Sequence, residues 1–445
     1  MKRSAWRYLW KSEDIRKKIL ITLLLLAIFR LAANIPVPGI NTDVIRSVFD
    51  QTGATGTLLD LLDLLAGGTM SSFSILAMGV YPYITAQIIL QLLMPIIPAL
   101  ERKIKENPRE GRQLMERWTI IGTIPMALLS AIGQINIFNS MAMTNNVSIF
   151  TIDYGWNLAT IAVVSTMVAG TLFGVWIGQL ISEFGIPNQG LSLVIFAGIV
   201  ANIPGNLISL ILDKQYWWLI FVVVAVLVLT IFAIVYVTQG RRNVPVMFPG
   251  RRMGARMSMP VKSSLPLMVT MAGMIPLIFA QSLLTFPAII ASFLYNVKTP
   301  WLAQVARDVY NLFSGQGVVY AVLYFLMVVA FTFFYTDVLF TQQNYGDNLK
   351  KQGARIMGVV PGEPTQRYLT KVQRRITLPG ALFLGTIAVL PYILNAILPE
   401  AARQAGLFLI SAAGLLIVVG VVRDTFTIIE TELKLHGYDE SLIRG

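Results

Sequence analysis

Ten stretches of this chain are apolar over bilayer length, near residues 19–35, 73–94, 118–138, 157–181, 191–212, 216–237, 265–292, 318–340, 376–398 and 406–422. A helix needs roughly 20 apolar residues to cross the hydrocarbon core. Nothing in that core hydrogen-bonds an exposed N–H or C=O, so a spanning stretch must satisfy its backbone internally, as a helix does. Hydrophobic residues make up 55% of the 445 and charged residues 13%. The chain therefore reads as a polytopic membrane protein and not as a soluble domain.

The net charge of +12 invites a nucleic-acid reading, but its distribution points elsewhere. Of the 35 lysines and arginines, 29 lie in the two tails or in loops after even-numbered spans. The positive-inside rule then places both termini in the cytoplasm. The asymmetry also supports an even number of spans, since one missed span would scramble it. The first 18 residues are too polar for a cleavable signal, and no small-residue cleavage motif follows them.

The second span has a twin. Gly79-Val-Tyr-Pro-Tyr-Ile-Thr-Ala-Gln-Ile-Ile-Leu90 aligns with Gly273-Met-Ile-Pro-Leu-Ile-Phe-Ala-Gln-Ser-Leu-Leu284, with six of twelve positions identical at an offset of 194 residues. Apolar helices resemble one another by chance, but a shared Pro and Gln in register are harder to dismiss. The second span runs outside to inside and the seventh inside to outside, so the implied halves, 1–212 and 213–445, are inverted, with five spans each. Such repeats meet near the bilayer midplane, where function usually sits. Pro82 interrupts the second span and predicts a bent helix there.

Just before that span lies a shorter apolar piece, 57–68, which cannot span. It contains Leu58, Leu59, Asp60, Leu61, Leu62, Asp63, Leu64 and Leu65, closed by Gly67 and Gly68. A glycine-hinged piece of this kind is either a surface helix or one tucked into a cavity at membrane depth. Asp60 and Asp63 either face water or steer the segment, and solvated surface is the simpler reading.

The chemistry of the spans is marked by absence. There is no cysteine and one histidine, His436, and no phosphate-binding loop, HExxH or G-x-S-x-G pattern. No cofactor or metal is expected, and an enzyme is disfavoured. A coupled transporter usually carries a buried carboxylate, and the predicted span cores are almost devoid of charge. What lines the twin helices is aliphatic: Val80 and Ile84 one turn apart, and Ile278 one turn before Ser282. Taken singly, each is an ordinary packing or lipid-facing residue. As symmetry mates, Ile84 and Ile278 would converge on the axis and form a hydrophobic constriction that closes to ions by dewetting. Gln87 and Gln281 are also mates, serving either as an interhelical bond worth about 0.6 kcal/mol or as plain packing. The loops 239–264 and 341–375 are long, basic and rich in Gly and Pro. Topology explains their charge but not their length, which suits docking to a large, partly anionic partner.

The residues resemble the SecY family, the channel subunits of the bacterial Sec protein translocon, from about Trp10 to the C-terminus. The resemblance is carried by GG-x6-IL-A-x-G-V-x-PYI-x-A-x-II-x-QLL (67–93), LSLVIFAGIVA (191–201), MAG-x-IP-x-IFA-x-S (271–282) with Phe286-Pro287, PGEPT (361–365) and LLIVV (415–419). It implies an all-α protein of ten transmembrane helices, in two inverted five-helix halves forming a clamshell around a central pore. The piece 57–68 becomes a plug. A lateral gate between helices 2–3 and 7–8 would include Gln87 and Gln281. The family's pore ring falls on Val80, Ile84, Ile195, Ile278, Ser282 and Ile417, five of them aliphatic. The resemblance implies a protein-conducting channel in the bacterial cytoplasmic membrane. Its partners would be the SecA motor, the ribosome, SecE-like and SecG-like small subunits, signal sequences and translocating polypeptides. The docking residues would be Arg241, Arg242, Arg251, Arg252, Arg256, Lys350, Lys351 and Arg355. The chain departs from the family at Val360, where an Arg is usual, leaving Arg355 as the candidate substitute; at Asn243, also in place of an Arg; and by one extra residue in GIPNQGLS, before the fifth helix. The alternative function is an inverted-repeat secondary transporter of a small solute.

Deleting 58–66 is expected to leave a channel that assembles but leaks ions transiently in a planar bilayer. Unchanged conductance would remove the plug assignment.

Overall fold

A computed structural model describes residues 12–40, 69, 73–93, 97, 108–144, 157–212, 217–248, 252–253, 256–257, 261–273, 275–294, 300–313, 317–397 and 412–435. Its helices are α1 (Glu13–Ala32), α2 (Tyr81–Leu93), α3 (Pro108–Thr144), α4 (Leu158–Phe184), α5 (Gly190–Leu212) and α6 (Trp217–Thr238), followed by α7 (Ile275–Leu294), α8 (Pro300–Phe313), α9 (Gly317–Gln343), α10 (Tyr345–Lys351), α11 (Glu363–Ile397) and α12 (Ala412–Leu435). A helix stands within each of the ten expected apolar stretches: α1 to α7, α9, α11 and α12. Among the described residues, Gln113–Asn136, Thr160–Phe184 and Gly317–Lys351 are long and apolar enough to cross a membrane by themselves. Large apolar side chains such as Leu23, Leu31, Phe232 and Val318 stand more than 60% exposed. That is costly in water and natural against lipid.

The chain forms two compact units. The first comprises 1–224, 281–321 and 391–445, the second 225–280 and 322–390. In the first unit, α4 and α5 pack together and α1 packs on both. Thr22 Oγ1 of α1 donates to the Lys18 carbonyl at 2.8 Å and accepts from the Ile186 N–H at 3.3 Å, which ties α1 to the α4–α5 turn. Lys18 also forms an ion pair with Glu432 of α12. A core of Phe73, Met78, Ala127, Phe138, Met167 and Ala288, among others, closes the unit. Phe73 and Phe138 meet edge to face at 5.2 Å. Such pairs contribute about 0.5–1.5 kcal/mol beyond burial. The helix α8 was not foreseen. It buries Ala306 and packs Tyr310 and Phe313 against that core, leaving Trp301, Val305 and Leu312 exposed.

In the second unit the first basic loop carries strands. Strands β1 (Arg241–Phe248) and β4 (Val261–Met268) pair antiparallel, from Arg241 opposite Met268 to Phe248 opposite Val261. Two-residue strands β2 (Arg252–Met253) and β3 (Arg256–Met257) pair beyond them. Val244 and Val246 point inward while Asn243 and Pro245 stay exposed, the period-2 pattern of a half-buried strand. Pro245 is tolerated because the described sheet has two strands, leaving each with an outer edge. The seventh span, expected from 265, therefore starts ten residues later, at Ile275. The second loop joins the first through paired bonds between Met247 and Arg355, at 2.8 and 2.9 Å. Val244, Val246, Leu267, Phe340, Ile356 and Leu369 close a small core beneath them. Arg374 of α11 reaches Asp337 of α9 through Nη2 at 2.8 Å, and that carboxylate raises the guanidinium pKa above its usual value.

Leu369 is fully buried in this small core. Leu369→Ala is expected to cost about 2–5 kcal/mol of local stability. Limited proteolysis of membrane vesicles should show faster cleavage within 239–264 and 341–375, with the membrane-embedded fragments intact.

Candidate functional site

The twin segments share more than sequence. In each, a turn precedes the helix and a glycine stands in the left-handed region, Gly79 at φ +52° and Gly273 at φ +58°. In each, the glycine N–H donates three residues back, Gly79 to Leu76 at 2.7 Å and Gly273 to Thr270 at 3.2 Å. Each helix then begins two residues after its glycine, at Tyr81 and at Ile275. Pro82 and Pro276 are thus second residues of their helices, where a missing N–H costs nothing. The bend expected at Pro82 is replaced by a helix start. The second span, expected from Phe73, is turn from 73 to 80 and becomes helical at Tyr81.

Backbone that is not helical needs other partners at membrane depth. The turn 73–80 finds them in protein. Val37 N–H donates to the Phe73 carbonyl at 3.1 Å and Ile75 N–H to the Ile35 carbonyl at 2.9 Å. Thr69, directly after the Gly67-Gly68 hinge, is buried and donates its hydroxyl to the Leu76 carbonyl at 2.6 Å. Ser74 Oγ accepts from the Leu76 N–H at 3.3 Å. These anchors were missed by sequence reasoning, because a Thr or Ser near an apolar run carries no distinctive signal.

The six ring candidates are all buried, none more than 8% exposed. That rules out the lipid-facing reading for each of them. Val80 ends the first turn and Ile84 lies one helical turn on. Ile195 is on α5, which packs against α12, the carrier of Ile417. The Tyr81 hydroxyl donates to the Ser282 carbonyl at 3.4 Å, bringing the start of α2 against α7. The Ser282 hydroxyl itself is buried with no hydrogen-bond partner among the described residues. Ile278 precedes Ser282 on α7 but belongs to the second unit. Gln281 is buried on α7, whereas Gln87 is half-buried on α2. Leu58, Leu59, Asp60, Leu61, Leu62, Asp63, Leu64, Leu65, Gly67 and Gly68 lie outside the described residues.

Of the docking candidates, Arg241, Arg242, Lys350, Lys351 and Arg355 are exposed around the small core of the second unit. Arg252 and Arg256 stand in β2 and β3, and Arg251 lies outside the described residues. Val360, in the position of the expected Arg, is 68% exposed, and its carbonyl accepts from Thr365 Oγ1 at 2.7 Å. A second basic face went unread. Arg367, Lys371, Arg374 and Arg375 recur at helical spacing along α11 and line an open groove. Among the described residues, no group of three or more His, Cys, Asp or Glu could hold a metal ion.

A family model described as SecY matches residues 74–426. The protein translocase subunit SecY of Chlamydia trachomatis is 35% identical, over 97% of this chain and 96% of that protein. A solved protein-conducting channel aligns with a TM-score of 0.63 at 16% identity, covering 99% of this chain and all of that one. The channel in a canine ribosome–channel complex from the endoplasmic reticulum aligns with a TM-score of 0.60 at 16% identity, with the same coverage.

An added Cβ at Gly273 meets nothing within 4 Å, so its replacement tests the backbone alone. Gly273→Ala is expected to cost about 1–2 kcal/mol, and Gly273→Asn less, because Asn tolerates the left-handed region. Thermal unfolding of the purified protein in detergent should rank wild type above Asn above Ala.

Proposed function

The chain belongs to the SecY family, and from that premise we propose how its parts serve a protein-conducting channel. It is a membrane protein that passes unfolded secretory polypeptides across the bilayer and releases apolar segments of membrane proteins sideways into it. The secondary-transporter reading is not supported, since the relative matched over nearly the whole chain is a translocase subunit.

In this proposal Val80, Ile84, Ile195, Ile278, Ser282 and Ile417 form the ring. Burial is the observation that carries it: six residues on four helices or their entry turns, five of them aliphatic, are all enclosed by protein. An aliphatic gasket closes around a passing chain without binding it, and without a chain it stays dry. The halves 1–212 and 213–445 are the two sides of the pore, and the gate opens along α2 and α7, past Gln87 and Gln281. Apolar segments leave there, each Leu or Ile favouring lipid by about 0.3–0.6 kcal/mol at mid-membrane. Residues 57–68 block the resting pore from outside, and Thr69 tethers their downstream end to the first turn.

The protein supplies a path and no energy. The exposed arginines and lysines of 239–264 and 341–375, together with the basic face of α11, form the surface for a cytoplasmic motor of the SecA kind or a ribosome. Small SecE-like and SecG-like subunits complete the assembly in the bacterial cytoplasmic membrane, with both termini in the cytoplasm.

The absence of cysteine makes the test direct. With a single cysteine in Ile278→Cys, a secretory precursor stalled midway is expected to crosslink at positions that shift as the stalled length changes. Efficient precursor engagement without any such crosslink would place the path elsewhere.

A further inference from the structure

Both turns rest on a glycine from another helix, and the two glycines match. An added Cβ at Gly170 of α4 would overlap the carbonyl oxygen of Ile75. An added Cβ at Gly380 of α11 would stand 2.7 Å from the carbonyl oxygen of Val269, 3.0 Å from Val269 Cγ1 and 3.2 Å from Thr270 Cγ2. Ile75 lies four residues before Gly79, and Val269 four residues before Gly273. The same carbonyl of each turn therefore meets a glycine. The host helices correspond as well, each being the fourth span of its half, and in each the glycine opens a Gly-x-Leu-Phe sequence, 170–173 and 380–383. The α11 side holds its turn a second time, through Gln373 Nε2, which donates to the Met268 carbonyl at 3.0 Å. One helical turn beyond Gly170, Gly174 differs. An added Cβ there meets Leu76, Phe29 and Val80 side chains at 3.6 Å, ordinary contact.

We propose that Gly170 and Gly380 are matched positioning residues for the pore seal. Each keys the entry turn of one gate helix to the fourth helix of its own half. The first key thereby sets the position of Val80 and Ile84, and the second that of Ile278 and Ser282. The inference rests on the ring assignment above. Helix interfaces in membranes use small residues to let backbones approach closely, and here the approaching group is the carbonyl that starts the turn. A methyl at Gly380 needs several tenths of an ångström of extra room, because carbon rarely comes within 3.0 Å of such an atom. The turn must yield, and the ring residues that follow it move with it. A gasket is sensitive to this, since a gap of about 0.5–1 Å forfeits a quarter to a half of a van der Waals contact.

The test uses the full chain in its membrane complex, reconstituted into planar bilayers with neither motor nor precursor. Gly380→Ala is expected to raise resting ion conductance several-fold over wild type, while Gly174→Ala stays at the wild-type level. In a second measurement, Ile278→Cys is labelled by a membrane-impermeant thiol reagent, with and without Gly380→Ala. Labelling is read on the membrane-inserted, assembled fraction, so reduced accumulation does not mask it, and it should be faster with the alanine. Ile278→Asn serves as the ring control. A tight Gly380→Ala channel beside a leaking Ile278→Asn channel overturns the keys and leaves the ring standing. If Ile278→Asn is tight as well, the ring assignment falls and the keys with it. Equal leaks from Gly174→Ala and Gly380→Ala also overturn the proposal, because the effect would then not depend on the carbonyl contact.

Discussion

A peptide group without a hydrogen-bond partner is expensive wherever water is excluded, and this protein is arranged around that cost. Its apolar stretches are helical because the helix satisfies the backbone locally. Where the chain stops being helical, at 73–80 and 269–273, other protein groups take over. Ile35, Val37, Thr69 and Ser74 partner the first turn. The Gly240 carbonyl and Gln373 partner the start of the second. The irregular backbone of the candidate pore is therefore tied down at both turns, and that is what allows short aliphatic side chains to hold fixed positions beside it.

The same requirement explains why the two turns look alike although most of their side chains differ. A left-handed glycine, an i to i−3 hydrogen bond and a proline at the second helical position end one backbone direction and begin another in few residues. At both turns the nearest group to the opposing glycine is a backbone carbonyl, that of Ile75 or of Val269, a group that does not depend on which side chain the residue carries. Duplication is therefore clearer in the backbone geometry than in the twelve aligned residues, where chance similarity between apolar helices blurs it.

The second unit follows a different rule. Outside the apolar stretches water competes for hydrogen bonds, and the chain must bury apolar area to hold a shape. It does so with a hairpin whose alternate valines, with Leu267, Phe340, Ile356 and Leu369, make a small core. The basic side chains are left on the outside. Their length and charge were legible in sequence. The alternation of Val244 and Val246 was legible too, but arginines, glycines and prolines around it read as loop. The amphipathic α8 was hidden in a short segment between spans, and the basic face of α11 in a run assigned to a loop.

Sequence alone determined which stretches are apolar enough to be helical within a membrane, where along the chain the positive charge gathers, and that two segments 194 residues apart are related. Transfer free energy and charge are properties of each residue in its own stretch, so they can be read along the chain. Tertiary structure alone decided that the second and seventh helices begin at Tyr81 and Ile275, that Pro82 starts a helix where a bend was expected, and that Gly170 and Gly380 must lack a side chain. Each of these depends on which carbonyl stands opposite, and that partner comes from a segment tens or more than a hundred residues away. A glycine inside an apolar helix reads as a small packing residue until the backbone it receives is in place.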